Sequence, residues 1–166
     1  MANFTQDELK EVISYNPETG AFAWRVGIGS VVAGKPAGCI NTLGYLVIRF
    51  KKKLYLAHRL AWFYVNGSWP QCELDHINGN PSDNRMQNLR EASHAENNRN
   101  KQKHTDNISG FKGGSLHRQS GLWEARICKD GVATRLGLFR SPENASRAYD
   151  AHVSKLHGEF ARANGG

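Results

Sequence analysis

Long apolar runs are missing from this sequence. No stretch of eighteen apolar residues occurs, which excludes a membrane-spanning helix. The opening residues MANFTQDELK have neither a basic head nor an apolar signal core, so secretion is not expected. Cysteine is scarce: Cys39, Cys72 and Cys128 are odd in number, far apart, and form no C-x-x-C pair. That excludes a disulfide framework and a structural zinc knuckle, and points to a reducing, cytoplasmic setting. Acidic residues are also outnumbered, giving a net charge of +7. The excess is uneven: residues 1–84 carry 8 basic and 7 acidic side chains, residues 85–166 carry 14 and 8. A basic second half suits a polyanionic partner such as nucleic acid, although charge alone fits a merely soluble basic protein equally well.

What is present divides the 166 residues into two modules. Thr5 followed by Glu8 is a capping box, predicting a short helix over DELKEVISY. AFAWRV, GYLVIRF and KLYLAH alternate as strands, the last two joined around Lys51, Lys52 and Lys53. HRLAWFYVNG has helical spacing and ends at Gly67, a C-cap residue. CELDHI, a polar loop over residues 78–84, a strand at NLREA and a polar helix from His94 follow. Ser93 and Glu96 form a second capping box at the start of that helix. The apolar-poor stretch NKQKHTDNISG is the linker, with modules at 1–103 and 109–166 and the connection at 104–108. In the second module, three short strands turn at RQSG and KDG. A final helix starts at Ser141-Pro142, with Ala145, Ala148, Tyr149, Val153 and Leu156 as its apolar stripe.

The chemistry gathers around Asp75 and His76. Adjacent strand residues point to opposite faces, so the pair has no shared task within a plain hairpin. A strand–loop–strand–helix unit, however, can bring Asp75 and Asn97 together from two elements, with His94, Asn97 and Lys101 on one helix face. Oxygen ligands with open positions suit a hard divalent cation. A neutral His76 can then take a proton from water attacking a phosphodiester. The loop also has the look of a calcium loop, but Asn80 and Met86 stand where that template needs Gly and Glu. His94 is open between a phosphate or metal approach and a plain first-turn residue. His58 reads first as a buried, hydrogen-bonded structural histidine and second as a site histidine, and Trp62, Phe63 and Trp69 read as core.

The block LDHINGNPSDNRMQNLREASHAENNRN resembles the ββα-metal core of HNH nucleases, in the phage homing-endonuclease branch. The resemblance implies Asp75 as metal-binding acid, His76 as general base and Asn88 as the residue that braces the loop and orients the base. Asn97 takes the last motif position, more often His. An amide oxygen there favours one Mg²⁺ or Mn²⁺ ion over zinc.

In the second module Trp123, Ala125 and Ile127 share one strand face, and Glu124 and Arg126 the other, with Arg135 beside them. An arginine-bearing sheet face can enter the major groove; a solvated charged face reads as well from pattern alone. The segment SGFKGGSLHRQSGLWEARICKDGVATRLGLFRSPENASRAYDAHVSKLHGEFARAN resembles the apetala/ethylene-response-factor DNA-binding domain. That implicates Lys112, Arg118, Arg126 and Arg135, with Trp123 either core or contact. Lys112-Gly113-Gly114 departs from the plant pattern, so base specificity is not inherited.

The expectation is an α+β protein: an N-terminal ββα-metal nuclease module, then a three-stranded antiparallel sheet packed on one helix. The reading is a homing-type, site-specific endonuclease acting on double-stranded DNA in the cytoplasm of a phage-infected bacterium. Lys51, Lys52, Lys53, Arg85, Arg99 and Lys101 join the C-terminal residues as candidate DNA contacts. The alternative is a DNA-binding regulator with an inactive nuclease domain; an RNA-binding module is weaker, because the aromatics look interior. Two separable modules further imply that losing 109–166 blurs site selection more than it changes the chemistry. Nicking against double-strand cutting, and monomer against homodimer, stay open.

Overall fold

The structure, a computed structural model, describes residues 4–27, 29, 31–100 and 107–164. They fall into two compact units, Met1–Ser93 and His94–Gly166. Lys101 and most of the expected linker lie outside the described residues.

In the first unit the Thr5 capping box forms as predicted: Glu8 N–H donates to Thr5 Oγ1 and Thr5 N–H to Glu8 Oε2. Helix α1, Gln6–Val12, stops earlier than its sequence suggests. Ile13–Tyr15 leave it as strand β1, which pairs antiparallel with β2, Phe22–Trp24. β-branched Val12 and Ile13 are weak helix formers, and the strand lets Ile13 and Tyr15 enter the core. A second sheet has the order β3 (Cys39–Ile40), β4 (Leu46–Phe50), β5 (Lys53–Leu56). Its β4–β5 turn holds Lys51 and Lys52 at φ 44° and 66°, and Lys51 reaches back to Glu8. Helix α2, Ala57–Asn66, ends at Gly67, whose φ of 72° lets its N–H return to the Phe63 carbonyl. Leu9, Ile13, Ile48 and Leu60 are fully buried in the core these elements share.

The remainder of this unit is a two-stranded hairpin, β6 (Glu73–His76) with β7 (Leu89–Ala92). A short 3-10 turn at Met86–Asn88 feeds β7.

The second unit opens with helix α3, His94–Asn100. Three antiparallel strands follow, in the order β10-β9-β8: β8 Gly114–His117, β9 Leu122–Lys129, β10 Val132–Phe139. Helix α4, Pro142–His157, covers one face, with Ser141 as N-cap and Pro142 in its first turn. Ala125 and Ile127 are buried on that face along with Tyr149 and Val153 of the helix. Gly113 has no alternative: a Cβ at its φ of 75° would sit 2.0 Å from Tyr149 Cδ2. Asn164 closes the unit, bonding the Lys112 main chain and, through its own N–H and amide, Asp150. This is the α+β layout read from the sequence. No helix among the described residues is long and apolar enough to cross a membrane.

Candidate active site

The loop between β6 and β7 is built by its own polar side chains. Asn88, 6% exposed, accepts from Asn78 N–H at 3.0 Å and donates to the Asp83 carbonyl at 2.8 Å, closing the loop across its neck. Asn78 donates to Asp83 Oδ2, Asn80 accepts from Ser82, and Gly79 N–H returns to the His76 carbonyl. Such Asx turns are what the run NGNPSDN is chemically suited to make. Arg85 holds Asp83 at 2.5 Å, and that pairing keeps the Asp83 carboxyl down near 2.

The N-terminal strands clamp this loop from the side. Tyr15 donates its hydroxyl to the Asn84 carbonyl at 2.7 Å, and Met86 N–H bonds the Pro17 carbonyl. Gly20, at φ 73°, lets the β1–β2 turn approach so closely that a Cβ would lie 2.7 Å from Arg85 N. The β1–β2 hairpin is therefore scaffold for the loop.

Asp75 and His76 end β6, both buried despite their polarity, at 4% and 6% exposure. Antiparallel register places Arg90 opposite Asp75, and its Nε and terminal amine grip Asp75 Oδ2 at 2.9 and 2.7 Å. His76 lies edge-on to His58, ring centroids 4.9 Å apart, with Tyr45 over both. Burial pushes His76 below its usual imidazole range, opposed by the Asn84 amide and the carboxylates of Asp75 and Asp83. His58 is driven down to about 3, first by burial and then by His76 and Arg59. Its Nδ1 has no hydrogen-bond partner among the described residues, so the bond expected there is not formed at that atom. Both imidazoles are thereby biased toward neutrality, and a neutral imidazole nitrogen can accept a proton.

Arg90 and Tyr45 were not singled out from sequence as parts of this site, whereas His58 was read chiefly as structural and Asn84 only as the end of the polar loop. Arg90 could have been found by counting the hairpin register outward from the loop. Tyr45 arrives from a distant segment and carries no local signal.

Among the described residues no three His, Cys, Asp or Glu side chains cluster as a metal cage. Beside His76, among the described residues, the first unit offers the buried Asp75 carboxylate and no thiolate, donor chemistry that fits a hard divalent cation.

The remaining sequence candidates are spread over both units. Lys51, Lys52 and Lys53 are exposed at the β4–β5 turn, and Arg85 is half-exposed against Asp83. Asn97 lies on α3, half-buried, and His94 is exposed at the first turn of that helix. Arg99 pairs with Asp130, and Lys112 sends its amine to the Arg99 carbonyl. Arg118 is exposed beside the β8–β9 turn, and Trp123 is half-buried. Arg126 and Arg135 stand on the open face of the sheet, joined by Glu124, whose two carboxylate oxygens hold one arginine each at 3.1 and 3.0 Å. Glu124 is 8% exposed, so the two guanidiniums are presented in fixed directions by a buried carboxylate.

Residues 55–99 match the HNH endonuclease family. Protein 3.8 of Escherichia phage T7 is 32% identical over 115 residues, covering 67% of this chain and 94% of that protein. A solved structure described as DNA binding and cleavage by the HNH homing endonuclease I-HmuI aligns over 88% of this chain and 85% of its own, at 21% identity and a TM-score of 0.40. The chain belongs to the HNH endonuclease family and is a DNA-cleaving hydrolase.

Proposed function

We propose that the chain is a site-specific endonuclease of the homing type, in which His76 is the general base and the basic second unit selects the DNA. The observation that carries this is the buried Asp75-His76 pair at the mouth of a loop braced by Asn88. His76 takes a proton from water as the water oxygen bonds to phosphorus and the bond to the leaving sugar oxygen breaks. Asn88 acts through the loop, fixing the main chain that follows His76. Asp75 and Asn97 would hold one Mg²⁺ or Mn²⁺ ion, which when bound supplies Lewis-acid stabilisation of charge on the phosphate oxygens. Arg90 fixes the Asp75 carboxylate in one orientation.

For DNA selection, the family resemblance of residues 109–166 and the Glu124-held pair Arg126 and Arg135 support major-groove reading by the sheet. Lys51, Lys52, Lys53, Arg85, Arg118 and Trp123 are proposed as further contacts; Arg99, Lys101 and Lys112 complete the set expected from sequence. The division at 1–103 and 109–166 is kept as the functional one, with double-stranded DNA as partner and an infected bacterial cytoplasm as the setting.

Cleavage of DNA carrying the target, with Mg²⁺ or Mn²⁺, is the direct test. The wild-type protein should cut, and His76→Ala should lose the activity while still binding DNA. Equal cutting by that variant would remove His76 from the mechanism.

A further inference from the structure

The family match runs to residue 99, whereas the first compact unit ends at Ser93. Residues 94–99 of the match therefore fold as most of α3 in the second unit. At seven residues, HAENNRN, this helix is too short and too polar to be stable by itself. It depends on what holds it.

Two groups of the sheet-and-helix unit do so. Lys112, at the start of that unit's sheet, donates its amine to the Arg99 carbonyl at 2.9 Å. That carbonyl is among the last four of α3, which the helix itself leaves without partners. Asp130 bonds the Arg99 guanidinium at 2.6 Å across 31 residues of chain. Both anchors are themselves fixed. The Lys112 main chain is bonded on both sides by Asn164. Asp130 and Gly131 form the two-residue β9–β10 turn, at φ 51° and 81°, which aims the carboxylate. Ala95, Asn98 and Arg99 line a cavity of about 340 Å³ with Lys112, Asp130 and Tyr149.

We propose that Lys112 and Asp130 are positioning residues of the nuclease: by holding α3 they orient Asn97, so the C-terminal unit takes part in cleavage as well as in DNA recognition. The proposal rests on the ligand role given to Asn97 above. It also accounts for an acid in a basic unit, since Asp130 serves Arg99 and not DNA. Losing residues 109–166 then removes chemistry along with site selection, unlike the expectation of separable modules.

The test separates cleavage from affinity. Asp130→Asn keeps the turn, because Asn tolerates a positive φ, and removes the charge that holds Arg99. Single-turnover cleavage at saturating DNA and Mg²⁺ should fall about two- to fivefold, the worth of a half-exposed ion pair. The DNA dissociation constant, measured without metal, should stay level or drop, since a negative charge has left a basic unit. Lys112→Met should slow cleavage about tenfold, and Lys112→Arg, which keeps a cationic donor, should restore most of it. Rates are compared where circular dichroism shows each variant folded. Unchanged cleavage in both Asp130→Asn and Lys112→Met would overturn the proposal. So would a slowing wholly matched by an equal loss of DNA affinity, which would make these residues DNA contacts with no positioning role. If the wild type fails to cut, or His76→Ala cuts equally, the active-site reading fails and takes this proposal with it. If the wild type cuts, His76→Ala does not, and the anchor variants cut normally, only the coupling fails.

Discussion

Asn88→Ala removes a single amide that makes two hydrogen bonds across the neck of the β6–β7 loop. Each is worth about 0.5–1.5 kcal/mol net, and an inward-facing main-chain group left unpaired costs about 1–3 kcal/mol more. With Asn88 buried, water replaces little of what is lost, so the variant should be destabilised by roughly 2–4 kcal/mol. In urea that is a midpoint shift of about 1–2 M. Activity should suffer more than stability. Asn88 main-chain oxygen accepts from Ile77 N–H, immediately after His76, and Gly79 N–H binds the His76 carbonyl, so the base rides on the loop that Asn88 closes. At a temperature where circular dichroism reports a folded protein, single-turnover cleavage should fall at least about tenfold, or about 1.4 kcal/mol of barrier. Asn88→Asp should not rescue it: the acceptor for Asn78 survives, but a carboxylate then faces the Asp83 carbonyl. A variant that melts at the wild-type urea concentration and cuts at the wild-type rate would refute the bracing role.

Other perturbations follow from the same geometry. His58 is held near a pKa of about 3 when folded, against about 6.5 for an unfolded histidine. Between those values the unfolded chain binds the extra proton, so stability should decline by about 1–2 kcal/mol from pH 7 to pH 5; His58→Phe should flatten that slope in denaturant titrations. Arg90→Met removes the guanidinium that grips the buried Asp75 carboxylate and should cost about 3 kcal/mol by urea unfolding, with slower cleavage. Gly20→Ala drives a methyl group into the Arg85 main chain and should cost about 2 kcal/mol or more. Gly121→Ala, at a similar φ with open space around it, should cost only about 1 kcal/mol in the same assay.

Much of this was legible where the signal is local. Capping residues such as Thr5, Gly67 and Ser141, and the turn residues of KDG, act within four positions, and the structure places them as their chemistry demands. The hairpin carrying Asp75 and His76 was legible for the same reason. What failed was a boundary between competing local preferences: the helical spacing of Leu9 and Ile13 extends past Val12, but pairing with Phe22–Trp24 wins. The rest depended on long-range partners. Nothing near Arg99 in sequence announces Asp130, nothing near Asn84 announces Tyr15, and Lys112 looks like any strand lysine until the Arg99 carbonyl is in place.

The Lys51–Lys52 turn, finally, carries a folding cost and a return on it. A two-residue hairpin turn with both φ values positive is easiest for Asn-Gly, and a side-chain-bearing residue there gives up about 1 kcal/mol. The same tip lets Lys51 pair with Glu8 in the first turn of α1. Converting the tip to Asn-Gly would therefore relax the turn and, in the same change, cut the tie between the hairpin and α1.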